Sequence, residues 1–160
     1  MSSLMNRLKL NHLAISYIAV LIVVFGGVLI NNGLTWYYTL TLPAWHPSAL
    51  VIVLVWTIIY LCGAWSLITI WNGVRCIRFP WIIAGFGLLV FLNLVWSVSF
   101  FQLHLLSVAL WIGAVFGVCV LTLMMLMWSV SKKASALLLP FAVWIAFALC
   151  VQYAVLVLNA

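Results

Sequence analysis

The sequence contains no aspartate and no glutamate. Without a side-chain carboxylate it has no Asp/Glu general acid or base, no oxygen-rich site for a hard cation, and no acid-based proton relay. Charge of either sign is scarce: 4% of residues are charged and 70% are hydrophobic, where a soluble domain carries roughly 25% charged residues. Those proportions exclude a water-soluble globular fold. In lipid every backbone polar group must be satisfied internally, which leaves helices or a closed barrel. The apolar runs are continuous rather than alternating, and that selects helices. Cysteine is sparse as well. Cys62, Cys76, Cys119 and Cys150 show no CxxC or other metal-ligand spacing, so they read as small buried thiols and no metal site is expected.

The expected fold is therefore an all-α integral membrane protein, a single domain over residues 1–160 built as a five-transmembrane-helix bundle. The spans fall at approximately 11–31, 47–70, 80–101, 105–129 and 135–158, each long enough for a hydrocarbon core of roughly 30 Å. The first is not read as a cleaved signal peptide, because its apolar run is long and no small-residue cleavage site follows. Pro47 and Pro80 suit the first turns of the second and third helices, and Pro140 lies near the start of the fifth, where it can kink it. The six basic residues form three pairs between apolar runs: Arg7 with Lys9, Arg75 with Arg78, and Lys132 with Lys133. In that arrangement they read as topology signals and not as a nucleic-acid surface.

One connector is unusual. Trp36-Tyr37-Tyr38-Thr39-Leu40-Thr41-Leu42-Pro43-Ala44-Trp45-His46-Pro47 joins the first two spans. Its prolines stiffen it, and its rings suit a membrane interface or the cover of an apolar ligand. Three helices also present aromatic stripes at helical spacing: Trp56 with Tyr60, then Asn93 with Trp96 and Phe100, then Trp144 with Ala148 and Gln152. In lipid an amide turns to the bundle interior, so Asn93 and Gln152 draw Trp96 and Trp144 to one centre. Taken singly, each stripe is also what bundle packing requires. Their coincidence with the stiff aromatic connector points to an apolar, indole-ringed pocket for a flat ligand such as a tetrapyrrole or sterol. His12, His46 and His104 lie near span ends and read as interfacial side chains. His46, inside the connector, has a second reading as a ligand to haem iron or a contact to a propionate. Gly113 and Gly117 form a GxxxG that permits close helix approach, within the monomer or in a dimer.

At these residues the chain resembles the TspO family, the tryptophan-rich sensory proteins of bacteria and the mitochondrial translocator protein (peripheral benzodiazepine receptor). The resemblance runs through Trp36-Tyr37, Leu40, Pro43-x-Trp45-x-Pro47, Trp56 and Tyr60. It continues in Asn93-x-x-Trp96-Ser97, Phe100-Phe101 and Ala109-Leu110, and ends in Pro140, Trp144, Phe147-Ala148 and Leu158-Asn159. It implies five transmembrane helices in a bacterial cell membrane, frequent homodimers, and a porphyrin- and cholesterol-binding pocket under the first long connector. Porphyrin or haem is then a ligand and not an obligatory cofactor. The pocket residues it carries over are Trp36, Tyr37, Trp45, Pro47, Trp56, Tyr60, Asn93, Trp96 and Trp144. It implies roles in tetrapyrrole transport, stress sensing or light-dependent porphyrin degradation.

The chain also departs from the family pattern. Ser48 replaces the second proline of a Pro-Pro pair, Val98 a proline after Trp-Ser, Ile112 a frequent acid, Gln152 an asparagine, and Leu156-Val157 a frequent Trp-Arg. No basic residue follows Tyr153, so the cholesterol motif of a tyrosine followed by Lys or Arg is absent. Three functions stay open at this point: a porphyrin-binding transporter or sensor, a light-dependent porphyrin-degrading enzyme, and a non-catalytic membrane partner protein.

The alternating basic pairs place the N-terminus in the cytoplasm and the C-terminus outside, with the aromatic connector external. Reporter fusions at the two ends are expected to give opposite signals. A cytoplasmic C-terminal reporter would contradict either the span count or the orientation.

Overall fold

A computed structural model of the protein describes residues 33, 35–73 and 76–160. Among the described residues there is no strand, and four helical segments are long and apolar enough to cross a membrane. Helix α1 is Ala49–Gly73, and α2 is Phe79–Ser97, continued by a π-helical turn over Val98–Gln102. Helix α3 is Leu106–Trp128, α4 is a short Lys132–Ala136 segment, and α5 is Leu139–Leu158. The expected span 11–31 lies outside the described residues, as do Arg7, Lys9, His12 and Arg75.

The helix starts follow the prolines. Pro80 and Pro140 sit in the first turns of α2 and α5, where a missing N–H is no loss. Pro140 therefore begins a helix and does not kink one. The chain breaks just before it: Ser131 caps α4 by accepting from the Ala134 amide at 3.2 Å, and α5 follows three residues after α4 ends. Pro47 precedes α1, whose first residue is Ala49.

The largest departure from a regular helix is at the end of α2. The Leu103 amide donates to the Val98 carbonyl at 3.0 Å, five residues back. Such π turns are rare and usually mark function. After it, His104 takes φ 56°, a left-handed conformation costing a non-glycine residue about 1 kcal/mol or more. The Leu105 amide closes the turn on the Ser99 carbonyl at 2.9 Å, and α3 begins directly.

Helix α3 is central and packs on α2, α4 and α5, while α1 lies against α4 and α5. Small residues set the approach. A Cβ on Gly113 would lie 2.9 Å from Leu149 Cδ2 and 3.5 Å from Trp96 Nε1, and one on Gly117 would lie 3.2 Å from Ile145 Cγ2. The GxxxG is thus used inside the monomer, to seat α5. Buried hydroxyls are satisfied across helices: Ser66 Oγ donates to the Ala134 carbonyl at 2.7 Å, and Ser135 Oγ to that of Met124 at 2.8 Å. In lipid these bonds have no water to compete with them. The outer faces carry large exposed apolar side chains such as Leu54, Phe91, Val118 and Val143, as a lipid-facing bundle requires. The expectation of buried cysteines fails at Cys76 and Cys150, which are exposed. Cys150 lies on an α5 surface that meets lipid, and a thiol needs no partner there.

Substituting Gly113 with Val is expected to lower stability by about 1–3 kcal/mol, through overpacking against Leu149 and Trp96. The same change at Gly63, whose Cβ would meet nothing within 4 Å, serves as the control. Thermal unfolding of the two variants in one detergent checks this, and equal melting temperatures would show that α3 and α5 are not in close contact.

Candidate functional site: an indole-lined cleft beneath an aromatic strap

A narrow cleft opens between α1, α2, α3 and α5, enclosing about 30 Å³. Trp56, Trp96, Trp144, Ala148 and Gln152 line it, joined by Gly113, Phe116, Ile145 and Leu149. Among the described residues its lining holds no charged group; its polar side chains are three indoles and one amide, and the amide is fixed. Trp96 Nε1 donates to Gln152 Oε1 at 3.1 Å, while Gln152 Nε2 donates to the Leu106 carbonyl at 3.4 Å. Trp144 Nε1 is different: it is buried and, among the described residues, has no hydrogen-bond partner. Leaving a buried donor unmatched costs about 1–3 kcal/mol. The cleft wall can therefore stack a flat apolar molecule, and one of its indole donors is buried and unused.

Above the cleft the connector forms a strap pinned at four places. Trp36 stacks on His104 at 3.9 Å between ring centres and meets Phe100 edge-on at 5.9 Å. Tyr37 is buried against Phe100 and Phe101, at 5.7 and 6.0 Å. The Thr41 amide donates to Asn159 Oδ1 at 2.9 Å, and Asn159 Nδ2 returns a bond to the Thr41 carbonyl at 3.0 Å. Trp45 packs edge-on against Phe147 at 6.0 Å, and Phe147 lies 5.4 Å from Trp144. Each ring pair contributes roughly 0.5–1.5 kcal/mol beyond area burial. Gly33 completes the contact, because a side chain there would collide with the Phe101 backbone.

The candidate residues thus separate into layers. Trp56, Trp96, Trp144, Ala148 and Gln152 form the wall. Trp36, Tyr37, Trp45, His46 and Phe100 belong to the strap and its seat. Tyr60 and Asn93 back the wall: Tyr60 stacks on Trp56 at 5.5 Å and its hydroxyl donates to Asn93 Oδ1 at 3.5 Å. Pro47 leads from the strap into α1 and does not line the cleft. Sequence reasoning missed Gly113, Phe116, Ile145 and Leu149. The GxxxG carried a signal for Gly113, read only as helix contact, whereas nothing distinguishes the other three from ordinary core residues.

His46 also stands apart from the cleft wall. The Tyr37 hydroxyl lies 2.6 Å from its Nε2, and with a neutral ring that nitrogen accepts. Burial holds the imidazole below its ordinary 6.5, opposed in smaller part by a hydrogen bond with the Pro47 backbone. Burial, with a smaller push from Tyr38, raises the Tyr37 phenol to about 12. The phenol therefore keeps its proton, and the imidazole is neutral near pH 7. To ligate an iron in the cleft, His46 would first have to give up Tyr37. Among the described residues no group of three His, Cys, Asp or Glu side chains sits together for a metal.

The profile that describes the TspO/MBR family matches residues 14–158. Among curated proteins, the chain is 31% identical to the tryptophan-rich protein TspO of Chlorobaculum tepidum, over 84% of this chain and 86% of that protein. It is 32% identical to the tryptophan-rich protein TspO of Archaeoglobus fulgidus, over 98% of this chain and 100% of that one. Protein CrtK of Rhodobacter capsulatus is 26% identical over 83% of each chain.

The Tyr37–His46 bond gives the strap a pH dependence. With His46 held below 6.5, a released strap takes up a proton more readily than a seated one. Above pH 6.5 both are neutral and the seat is fully stable; below it, the released form protonates first and ordering weakens until the lower, seated value is passed. Amide protection factors over residues 38–46 are expected to be level from about pH 8 to 6.5 and to fall below that, with the fall removed in His46→Gln. A level profile in the unmodified protein would exclude this linkage.

Proposed function

The chain belongs to the TspO/MBR family, and from that premise we propose that it is a five-helix membrane protein that binds porphyrin- or haem-type tetrapyrroles in the indole-lined cleft, in the service of transport or stress sensing. In this reading the fifth span is the one expected from the sequence at 11–31, and the N-terminus is cytoplasmic with the strap on the outer side. The observation that carries the reading is the unmatched Trp144 N–H in an uncharged, three-indole cleft. A macrocycle supplies the broad π face that the indoles stack on and acceptor atoms that the free N–H can meet. Membrane lipid surrounds the bundle, and a homodimer is the assembly that the family resemblance implies.

The fit has a condition. As it stands the cleft encloses only about 30 Å³, far below the roughly 300–1,000 Å³ of small-molecule sites. A macrocycle enters only when the strap lifts and the wall rings part. Trp45, touching Phe147 and through it Trp144, couples strap position to the unmatched donor. Ordering the strap over a bound ligand costs entropy, so association and release are both slow. Sterol recognition through a tyrosine-to-basic motif is not part of this proposal, since nothing basic follows Tyr153.

Spectral titration of the purified protein with protoporphyrin tests the reading, once in the dark and once under illumination. A red-shifted Soret band, stable in light, is expected. In Trp144→Ala the affinity is expected to fall about tenfold, the equivalent of roughly 1.4 kcal/mol. Loss of the band only under light would favour a porphyrin-degrading enzyme, for which the oxidisable indoles at the cleft are suited. No shift at all would leave a membrane packing or partner protein, and unchanged affinity in a folded Trp144→Ala protein would remove that residue from the site.

A further inference from the structure

The end of the bundle away from the strap carries the described charge. There the start of α2 meets the turn between α3 and α4. Arg78 Nη1 donates to the Ser129 hydroxyl, and Ser129 Oγ in turn donates to the Leu126 carbonyl at 3.4 Å. The guanidinium is thus oriented by a fixed acceptor, and among the described residues Ser129 is its hydrogen-bond partner. Lys132 Nζ lies 5.8 Å from the centre of the Trp128 ring, within cation–π range. Trp128 is 55% exposed, and Trp81, one turn after Arg78, is 71% exposed. Indoles at a helix end of a membrane bundle sit at headgroup depth.

No side-chain carboxylate exists anywhere in the chain to neutralise these cations. Basic residues that only set topology need no defined partners, yet here the arginine is held by a hydroxyl and the lysine rests over an indole. We propose that Arg78 and Lys132 together hold the phosphate of an anionic phospholipid, with the Trp128 ring packed against its glycerol and upper acyl chain. The site is separate from the cleft and independent of any ligand there. A zwitterionic lipid presents the same phosphate but brings its own cation, which Arg78 and Lys132 repel. The preference is therefore for a lipid with net negative charge, such as phosphatidylglycerol.

The test uses the full chain in nanodiscs of phosphatidylcholine with a minority of phosphatidylglycerol, and counts retained lipids by native mass spectrometry. The unmodified protein is expected to retain phosphatidylglycerol preferentially. The Arg78→Gln, Lys132→Gln double variant is expected to lose that preference by roughly tenfold or more, while Lys133→Gln keeps it. Should the double variant not fold, Ser129→Ala frees Arg78 without removing charge and is expected to weaken retention. Equal retention of the two lipids by the unmodified protein would overturn the proposal. So would an unchanged preference in the double variant or, in its place, in Ser129→Ala. A loss in Lys133→Gln equal to that of the double variant would reduce the site to diffuse attraction and overturn it as well. Inorganic phosphate is added in a further arm. Full displacement of the lipid by it would make the ligand free phosphate, and persistence of the lipid is the expected result.

Discussion

The structure turns on the Trp96 indole. Its N–H is bonded to Gln152 on α5, its ring is stacked at 5.4 Å on Phe100 in the π turn, and its edge lies beside Gly113 on α3. One side chain therefore ties three helices together and belongs to both layers of the site. On one side it is part of the cleft wall; on the other it is part of the cluster under the strap. A Cβ at Gly113 would stand in van der Waals contact with the ring, 3.5 Å from Nε1, and without Gln152 the N–H would be buried unmatched. In lipid that second condition is severe, because no water reaches the bundle interior to replace a lost partner.

The π turn and the strained His104 follow from this seat. A regular α-helix through Ser97–Gln102 would place successive side chains 100° apart and carry Phe101 away from Phe100's face of the helix. The extra residue per turn lets Phe100 and Phe101 both face the strap, where they receive Tyr37. The chain then has to reverse within a few residues to start α3, and His104 accepts a left-handed conformation to do so. Stacking against Trp36 at 3.9 Å compensates part of that strain. The connector is thus held by the features that make the end of α2 irregular. It is a packed element of the fold rather than a solvated loop.

Much of this was legible in the sequence, and the boundaries show why. Apolar run length and proline positions located α1, α2, α3 and α5 to within a few residues, since in lipid those two signals decide helix limits almost unaided. The amide rule placed Gln152 inward correctly. Asn93 is not among the residues lining the cleft, and its amide oxygen meets the Tyr60 hydroxyl between α1 and α2. The aromatic connector signalled a cover, but stripe spacing could not separate residues that touch the cleft from those that hold the cover down. Position on a face is periodic and therefore readable; depth within a layer depends on side chains from other helices. The π turn was invisible for a related reason. Val98 and its neighbours are ordinary helix residues, and no residue type among them signals a π turn.

The two ends of the bundle divide two tasks by polarity. At one, Arg78 and Lys132 are fixed by Ser129 and Trp128, and buried serines lock α4 to α1 and α3. At the other, cohesion comes from stacked rings, one Tyr37–His46 bond and the Asn159 clamp. Ring contacts are individually weak, and in the proposed reading it is the aromatic end that opens. The chain contains no acid that would fasten this end by a salt bridge. A carboxylate in lipid would also be costly unless paired, and it would repel an anionic or electron-rich ligand from the indoles. In the proposed reading the absence of acids and the abundance of indoles work together, as a neutral aromatic cover above an indole donor that is unmatched among the described residues.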